Sequence, residues 1–223
     1  MKKLVLMLTC ILVGTFHLFA QPESSVVRIL VWQDTTKAPT QLGTGFFISD
    51  SIIVTAAHIY WKGGTWINEH RGGQLFISKQ DDGRKPTIPL TFLKFDNTHD
   101  VAIGKVDPRR VSQQFSWFDF PSLSDEVAVG DAVFSWGFFG PDSYPIRVSG
   151  FVAGFVPATD DILLDMTINP GQSGSPLISA QSKRVVGIIR GFVPSSDKDN
   201  TGIGKASKSQ YVLSLLKQLG LAD

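Results

Sequence analysis

The chain of 223 residues contains a single cysteine, Cys10. A disulfide framework is therefore excluded, and the fold must be held by its own core. Charge of one sign is also missing. The 21 Lys and Arg residues stand against 20 Asp and Glu residues, with no basic or acidic run. Without a basic stripe there is no electrostatic footprint for nucleic acid or for an anionic surface. Long apolar runs are absent after the first twenty residues, as are repeats, low-complexity tracts and heptads. Histidine is scarce: beyond residue 20 only His58, His70 and His99 remain. They lack the close spacing of three or four ligands that a zinc site needs, so no metal is expected.

What is present starts with the N-terminus. Lys2 and Lys3 precede a mostly apolar run from Leu4 to Phe19, and Ala20 stands before Gln21-Pro22-Glu23. This is the pattern of a secretory signal peptide, residues 1–20, cleaved after Ala20. The run is short for a membrane span and has no charged stop. Cys10 lies too early, after Thr9, for a lipoprotein signal. Cleavage removes Lys2, Lys3 and Cys10, leaving 19 basic against 20 acidic residues and no cysteine. An exported chain without cysteine suits a bacterial source. Export to the periplasm or the extracellular space is expected, with no stable membrane association after cleavage.

Apolar residues make up 43% of the chain, and the sixteen Phe and five Trp favour a β-rich interior. Short apolar runs broken by Gly, Pro, Asp and Ser are read as strands over 26–32, 45–48, 52–55, 75–78, 91–95 and 101–106. After Asp107-Pro108 the series resumes over 132–137, 145–155, 161–168, 176–179 and 184–192. Such spacing indicates an all-β sandwich or barrel. One helix is expected at the end, where Tyr211, Leu215, Leu216 and Leu219 recur at helical intervals. Ser207 or Ser209 would cap it and Gly220 would stop it. Such a helix is expected to cover core.

Three segments carry chemistry. His58 ends Gly43-Thr44-Gly45-Phe46-Phe47-Ile48-Ser49 followed by Ile52-Ile53-Val54-Thr55-Ala56-Ala57-His58. Small residues before the histidine let the backbone bend and place an imidazole at a strand end. Imidazole is the usual base for activating a nucleophile near neutral pH. Asp100 heads the apolar Val101-Ala102-Ile103-Gly104-Lys105-Val106, where a carboxylate can orient an imidazole through its N–H. His99 is expected to point away from the face Asp100 uses. Ser173 lies in Asn169-Pro170-Gly171-Gln172-Ser173-Gly174-Ser175-Pro176. Glycines on both sides permit unusual dihedral angles. The Gly171 and Ser173 amides could then converge on a developing oxyanion, a stabilisation worth about 3–4 kcal/mol per donor. Taken singly, each segment also has a plainer reading: a structural histidine, a turn aspartate, a Gly/Ser surface turn.

Together and in this order, the segments resemble the trypsin-like (chymotrypsin-fold) serine protease superfamily, closest to its HtrA/DegP-like and V8-like (glutamyl endopeptidase) branches. The likeness extends to Val186-Gly187-Ile188-Ile189 and Gly202-Ile203-Gly204, and spans about residues 26 to 219. It implies two six-stranded antiparallel β-barrels, about 26–108 and about 116–206, with a C-terminal helix about 207–219. It implies a secreted endopeptidase with Ser173 as nucleophile, His58 as base and Asp100 as orienter. The Gly171 and Ser173 amides would form the oxyanion hole, and no cofactor is needed. Protein or peptide substrates are the expected partners. A catalytically inactive binding module on the same fold, or an esterase using the same triad, is the alternative.

Departures from the family pattern are informative. Gln172 precedes the nucleophile where animal trypsins carry an Asp that pairs with a new N-terminus, so that activation route is not expected. Ser175 replaces a glycine and is expected to lie beneath the loop. Thr167, Ile168, Ile189, Arg190 and Gly191 are the candidate substrate-binding residues, with Lys205 a further wall candidate. Thr167, and not an Asp, stands about six residues before Ser173, where the resemblance places the base of the pocket, so Arg or Lys selectivity is not expected. Arg190 or Lys205 would favour an acidic side chain, and a small apolar one is equally compatible. No PDZ-like domain is expected.

Overall fold

The computed structural model describes residues 22–32, 40–62, 65–66, 74–78, 88–111, 115–118, 123, 127–139, 144–196 and 200–222. The expected signal peptide and His70 lie outside the described residues. A one-turn helix α1 (Pro22–Ser25) leads into β1 (Val26–Trp32), β2 (Thr40–Phe47) and β3 (Ile52–Thr55). A two-residue hairpin, β4 (Trp61–Lys62) with β5 (Thr65–Trp66), stands apart. Then come β6 (Gln74–Ser78), β7 (Ile88–Pro89), β8 (Thr91–Asp96) and β9 (Val101–Lys105). The first sheet runs in the order β7-β6-β1-β2-β3-β9-β8. Only Leu90 separates β7 from β8, so both edges of this sheet belong to one bent stretch of chain, and the sheet curls on itself.

The second lobe is a closed barrel. Its strands are β10 (Ala132–Gly137), β11 (Ile146–Val156), β12 (Asp161–Asp165), β13 (Pro176–Ser179), β14 (Val185–Pro194) and β15 (Asn200–Lys208). They close in the order β10-β11-β12-β15-β14-β13. The all-β, two-lobed architecture with a terminal helix matches the sequence expectation. Six strands in a closed barrel hold for the second lobe, while the first is a curled sheet of seven segments. Strand β15 is not read as a strand from sequence. Two glycines and two lysines interrupt its apolar pattern, and Gly202 takes φ +80°.

Burial explains why several strands read as unbroken apolar runs. Side chains alternate across a strand. Val27, Ile29, Val31, Phe47, Ile53 and Ala102 line the interior of the first lobe. Their neighbours Val26, Phe46, Ile52, Val54, Val101 and Ile103 face the other way, into a cluster shared with Phe134, Phe138, Ile178, Val185 and Ile188 of the second lobe. Both faces of β3, of β2 from Gly43 onward and of β9 up to Gly104 are thus dry, which removes the polar half of the alternation. A third cluster, with Val133, Val152, Ile162, Leu164, Leu177 and Ile189, fills the barrel.

The terminal helix α2 (Gln210–Gln218) returns from β15 and drives Val212, Leu215 and Leu216 into the shared cluster. Ser209 stands at its N-cap and Gly220 follows its end at φ +68°. Polar anchors fix it. Tyr211 stacks on His99, centroids 3.5 Å apart and rings 10° from parallel. Asp160 accepts hydrogen bonds from Lys208 Nζ at 2.6 Å, Tyr211 Oη at 2.7 Å and Gln210 Nε2 at 3.1 Å. The bond from Lys208, then that from Tyr211, holds the Asp160 carboxyl below the usual carboxylate range. A carboxyl depressed in the folded state adds stability above its unfolded pKa and loses it as pH falls through the folded value. The thermal midpoint should therefore decline as pH drops below about 4, through the range where carboxylates protonate. Asp160→Asn should lower the midpoint at pH 7 and show a shallower acid decline, as read by calorimetry across pH. Parallel curves for the two proteins would remove Asp160 as an anchor.

Candidate active site

Strand β3 is buried throughout and runs into Ala56 and Ala57, both within 1% of full burial. Their small side chains let a 3-10 turn, Ala57–Ile59, form directly at the strand end. This lifts His58 onto the surface, with 45% of its side chain exposed. Asp100 reaches it from the turn between β8 and β9. Its Oδ1 accepts the His58 backbone N–H at 2.8 Å, and its Oδ2 lies 2.8 Å from His58 Nδ1. A carboxylate can only accept, so Nδ1 carries a proton, and in the neutral ring the lone pair is then on Nε2. The two contacts fix both the rotation and the tautomer of the ring.

Asp100 does not head the strand in extended form. It takes φ +57° at the end of a turn over residues 97–100. Aspartate is one of the few residues that tolerates this left-handed region. Asp96 organises the turn by accepting from the backbone N–H groups of Thr98 at 2.9 Å and His99 at 3.1 Å. His99 does point away from the Asp100 carboxyl, because of this turn rather than strand alternation. Its Nδ1 meets Asp96 Oδ2 at 2.6 Å. Burial works against ionisation of Asp96, but the bonds from His99 outweigh it and hold this carboxyl below its ordinary value.

The loop around Ser173 is built from its own backbone. Gln172 N–H donates to Asn169 O at 3.1 Å, and Asn169 N–H donates back to Gln172 Oε1 at 2.7 Å. Gln172 is fully buried and closes the loop from beneath. Gly174 N–H donates to Ile189 O at 2.7 Å, and Ser175 N–H to Gln172 O at 3.0 Å. Gly171 and Gly174 take φ +100° and +88°. The amides of residues 172, 174 and 175 are thus spent, whereas those of Gly171 and Ser173 make no hydrogen bond among the described residues. Ser175 is fully buried beneath the loop.

Thr44 of β2 stitches this loop to the first lobe. Its N–H donates to Ser173 O at 2.8 Å and its Oγ1 donates to Gly171 O at 2.8 Å. The same hydroxyl accepts Phe138 N–H at 3.0 Å, and Thr44 O accepts from Thr55 Oγ1 at 2.6 Å. A side chain on Gly43 would meet Ser173 O at 2.7 Å, and one on Gly171 would meet Phe138 O at 2.8 Å. Gly43, next to Thr44, marks this close backbone approach, a signal present in the sequence that points to Thr44 as a structural member of the site.

Ser173, His58 and Asp100 share one neighbourhood through Arg190. Ser173 Oγ donates to Arg190 O at 3.1 Å, and Arg190 Nε donates to Asp100 Oδ2 at 3.3 Å. Among the described residues no hydrogen bond links Ser173 to His58. Arg190 Nη1 also bonds Asp161 Oδ1, and Lys205 Nζ lies 2.9 Å from Asp161 Oδ2. The cationic ends of Arg190 and Lys205 are therefore already engaged. Ile168 and Ile189 are fully buried with their side chains in the barrel core, so only their backbones can line a cleft. Thr167 is exposed, and Gly191 stands in open space at φ +153°. No cluster of three metal-ligating side chains occurs among the described residues.

A family model described as trypsin-like peptidase domain matches residues 43–188. A Chlamydia pneumoniae protein named "Probable periplasmic serine endoprotease DegP-like" is 30% identical over 187 residues, covering 79% of this chain and 34% of its own length. The protein y4bJ of Sinorhizobium fredii is 28% identical over 160 residues, covering 68% of this chain and 22% of its own length. The chain thus spans no more than about a third of these relatives. A crystal structure of Deg5 superposes with a TM-score of 0.63 at 20% identity, over 86% of this chain and 87% of that one, a likeness of fold.

The Thr44 hydroxyl is the testable joint of this arrangement. Thr44→Val keeps shape but leaves Gly171 O and Phe138 N–H without their partner. A buried polar group left unpaired costs about 1–3 kcal/mol. The variant should lose stability by about that amount in a urea titration, and an unchanged midpoint would show that the hydroxyl does not bridge the lobes.

Proposed function

The chain belongs to the trypsin-like peptidase family, and on that premise we propose that it is an exported serine endopeptidase working through an acyl-enzyme. The observation that carries this reading is the His58–Asp100 pair, bonded at two points, beside a loop whose only unspent amides are those of Gly171 and Ser173. Ser173 is the nucleophile. Its hydroxyl leaves the Arg190 carbonyl and turns to the free Nε2 of His58, which takes the proton as Oγ attacks the scissile carbonyl. Asp100 stabilises the imidazolium that results. The Gly171 and Ser173 amides receive the oxyanion. His58 then returns the proton to the leaving amine, and water hydrolyses the acyl-enzyme by the same route in reverse.

The substrate strand docks on β14. Beyond Ile189, the side of β14 that faces β13 has no strand partner among the described residues, because β13 begins at Pro176 opposite Ile188. An added strand would complete the sheet there. Export fits both the signal-like leader and the printed name of the Chlamydia relative, which places that protein in the periplasm. Among the described residues no helix is long and apolar enough to cross a membrane.

A serine-directed phosphonate should label Ser173, read by mass spectrometry of the tryptic peptide. Ser173→Ala should abolish peptide hydrolysis, with a thermal midpoint close to wild type. Labelling at another serine, or undiminished hydrolysis in the variant, would remove the assignment.

A further inference from the structure

The Asp100 carboxylate is shared. One oxygen, Oδ2, meets His58 Nδ1 at 2.8 Å and Arg190 Nε at 3.3 Å. The far end of the same guanidinium grips Asp161 Oδ1, while Asp161 Oδ2 meets Lys205 Nζ at 2.9 Å and accepts from Thr159 Oγ1 at 2.8 Å. Charges therefore alternate along a continuous chain: Asp100, Arg190, Asp161, Lys205. It is largely shielded, with side-chain exposures of 10%, 22%, 2% and 31% in that order. At such burial, charge pairs are screened far less than at the surface.

We propose that Arg190 is a positioning residue whose charge, metered by Asp161, sets how strongly Asp100 stabilises a protonated His58. This rests on the reading of His58 and Asp100 as base and orienter. In the catalytic cycle a proton arrives on His58 and Asp100 must balance it. A fixed cation on the same oxygen opposes that proton. Asp161 restrains the effect by drawing the guanidinium's charge toward itself, and Lys205 in turn balances Asp161. The members of this chain come from the turn before β9 and from β14, β12 and β15. Facing it are His58, from the turn after β3, and Thr159, from the turn before β12. On the far side of the residue 97–100 turn lie His99 with Asp96 and Tyr211, then Asp160 with Lys208.

Removing the two partners should have opposite effects. Arg190→Gln leaves Asp100 wholly to His58, so the imidazole should protonate at higher pH. Asp161→Asn leaves the guanidinium uncompensated beside Asp100, so the imidazole should protonate at lower pH. The measurement is the His58 ring titration by nuclear magnetic resonance, in full-length protein carrying Ser173→Ala. This reads the ionic chain whether or not the protein hydrolyses peptides. Displacements of about one pH unit are expected, upward for Arg190→Gln and downward for Asp161→Asn, the scale on which a nearby charge moves a titration. In the Ser173 background, the acid limb of the kcat/KM profile should move in the same two directions. Midpoints that stay at the parent value in both variants, or move the same way, would overturn the proposal and leave the chain a structural staple. Should Arg190→Gln not fold, Arg190→Lys and Asp161→Asn decide. The lysine should stay within a few tenths of a unit of the parent, and a full upward displacement in it would count against a charge effect. Normal displacements in a protein that neither labels at Ser173 nor hydrolyses peptide would sink the proposed function and spare the ionic chain.

Discussion

The threonine between Gly43 and Gly45 is the point on which the site's geometry depends. The Ser173 loop belongs to the barrel, and His58 belongs to the curled sheet. Nothing in either lobe alone fixes their separation. Thr44 does so with its backbone N–H and its hydroxyl, which engage Ser173, Gly171 and Phe138, while its carbonyl holds Thr55 of its own sheet. These bonds are directional and buried, so a small slide of one lobe over the other would break several at once. The apolar cluster between the lobes supplies adhesion without direction. Arg28 adds a second polar tie from the same sheet. Its Nε donates to Gln41 Oε1 at 2.9 Å, and Gln41 Nε2 donates to Phe138 O at 3.2 Å. Both ties end on the stretch that also shapes the ground beneath Gly171.

A second constraint recurs in two places with the same form. Asp100 and Asp160 both take left-handed φ, at +57° and +55°. At each, adjacent side chains diverge. His99 goes to Asp96 and Tyr211, while Asp100 goes to His58 and Arg190. Asp160 goes to Lys208, Gln210 and Tyr211, while Asp161 goes to Arg190 and Lys205. Tyr211 touches the outer member of each pair, and Arg190 touches the inner member of each. One helix residue thus braces both turns from outside, and one strand residue joins them from inside. Ser207 Oγ reinforces the brace by donating to the His99 carbonyl. Covering core is only part of what the terminal helix does, since it also fixes the turn that presents Asp100.

How much of this can be read from sequence depends on the range of the interaction. The strands at 26–32, 52–55, 132–137 and 176–179 are legible because apolar length and turn residues are local signals. The neighbourhood of His58, Asp100 and Ser173 is legible because small residues, a turn aspartate and paired glycines each leave a local mark. The destination of the Arg190 guanidinium is not. It depends on barrel register, in which Gly191 pairs Lys205 and Lys205 pairs Leu163, so three neighbouring strands bring Arg190, Lys205 and Asp161 together. The register carries a bulge between Ile189 and Gly191, where the glycine's φ of +153° lets the strand kink. No pattern in residues 184–192 announces that kink. Sequence therefore offers Arg190 and Lys205 as free cations on a pocket wall, while the fold spends both on Asp161 and Asp100.

The same bulge explains how Arg190 serves two ends at once. Its carbonyl faces the cleft and takes the Ser173 hydroxyl, while its side chain crosses toward Asp100 and Asp161. In a regular ladder successive backbone groups alternate between the two flanking strands, and a residue committed to β15 would have no carbonyl to spare for the cleft. The extra residue breaks that alternation. Strand β13 starting only at Pro176, with Gly174 and Ser175 engaging Ile189, then leaves the cleft side of β14 open beyond Ile189. The acceptor of the Ser173 hydroxyl, the start of the open sheet edge and the root of the ionic chain are consequently one residue.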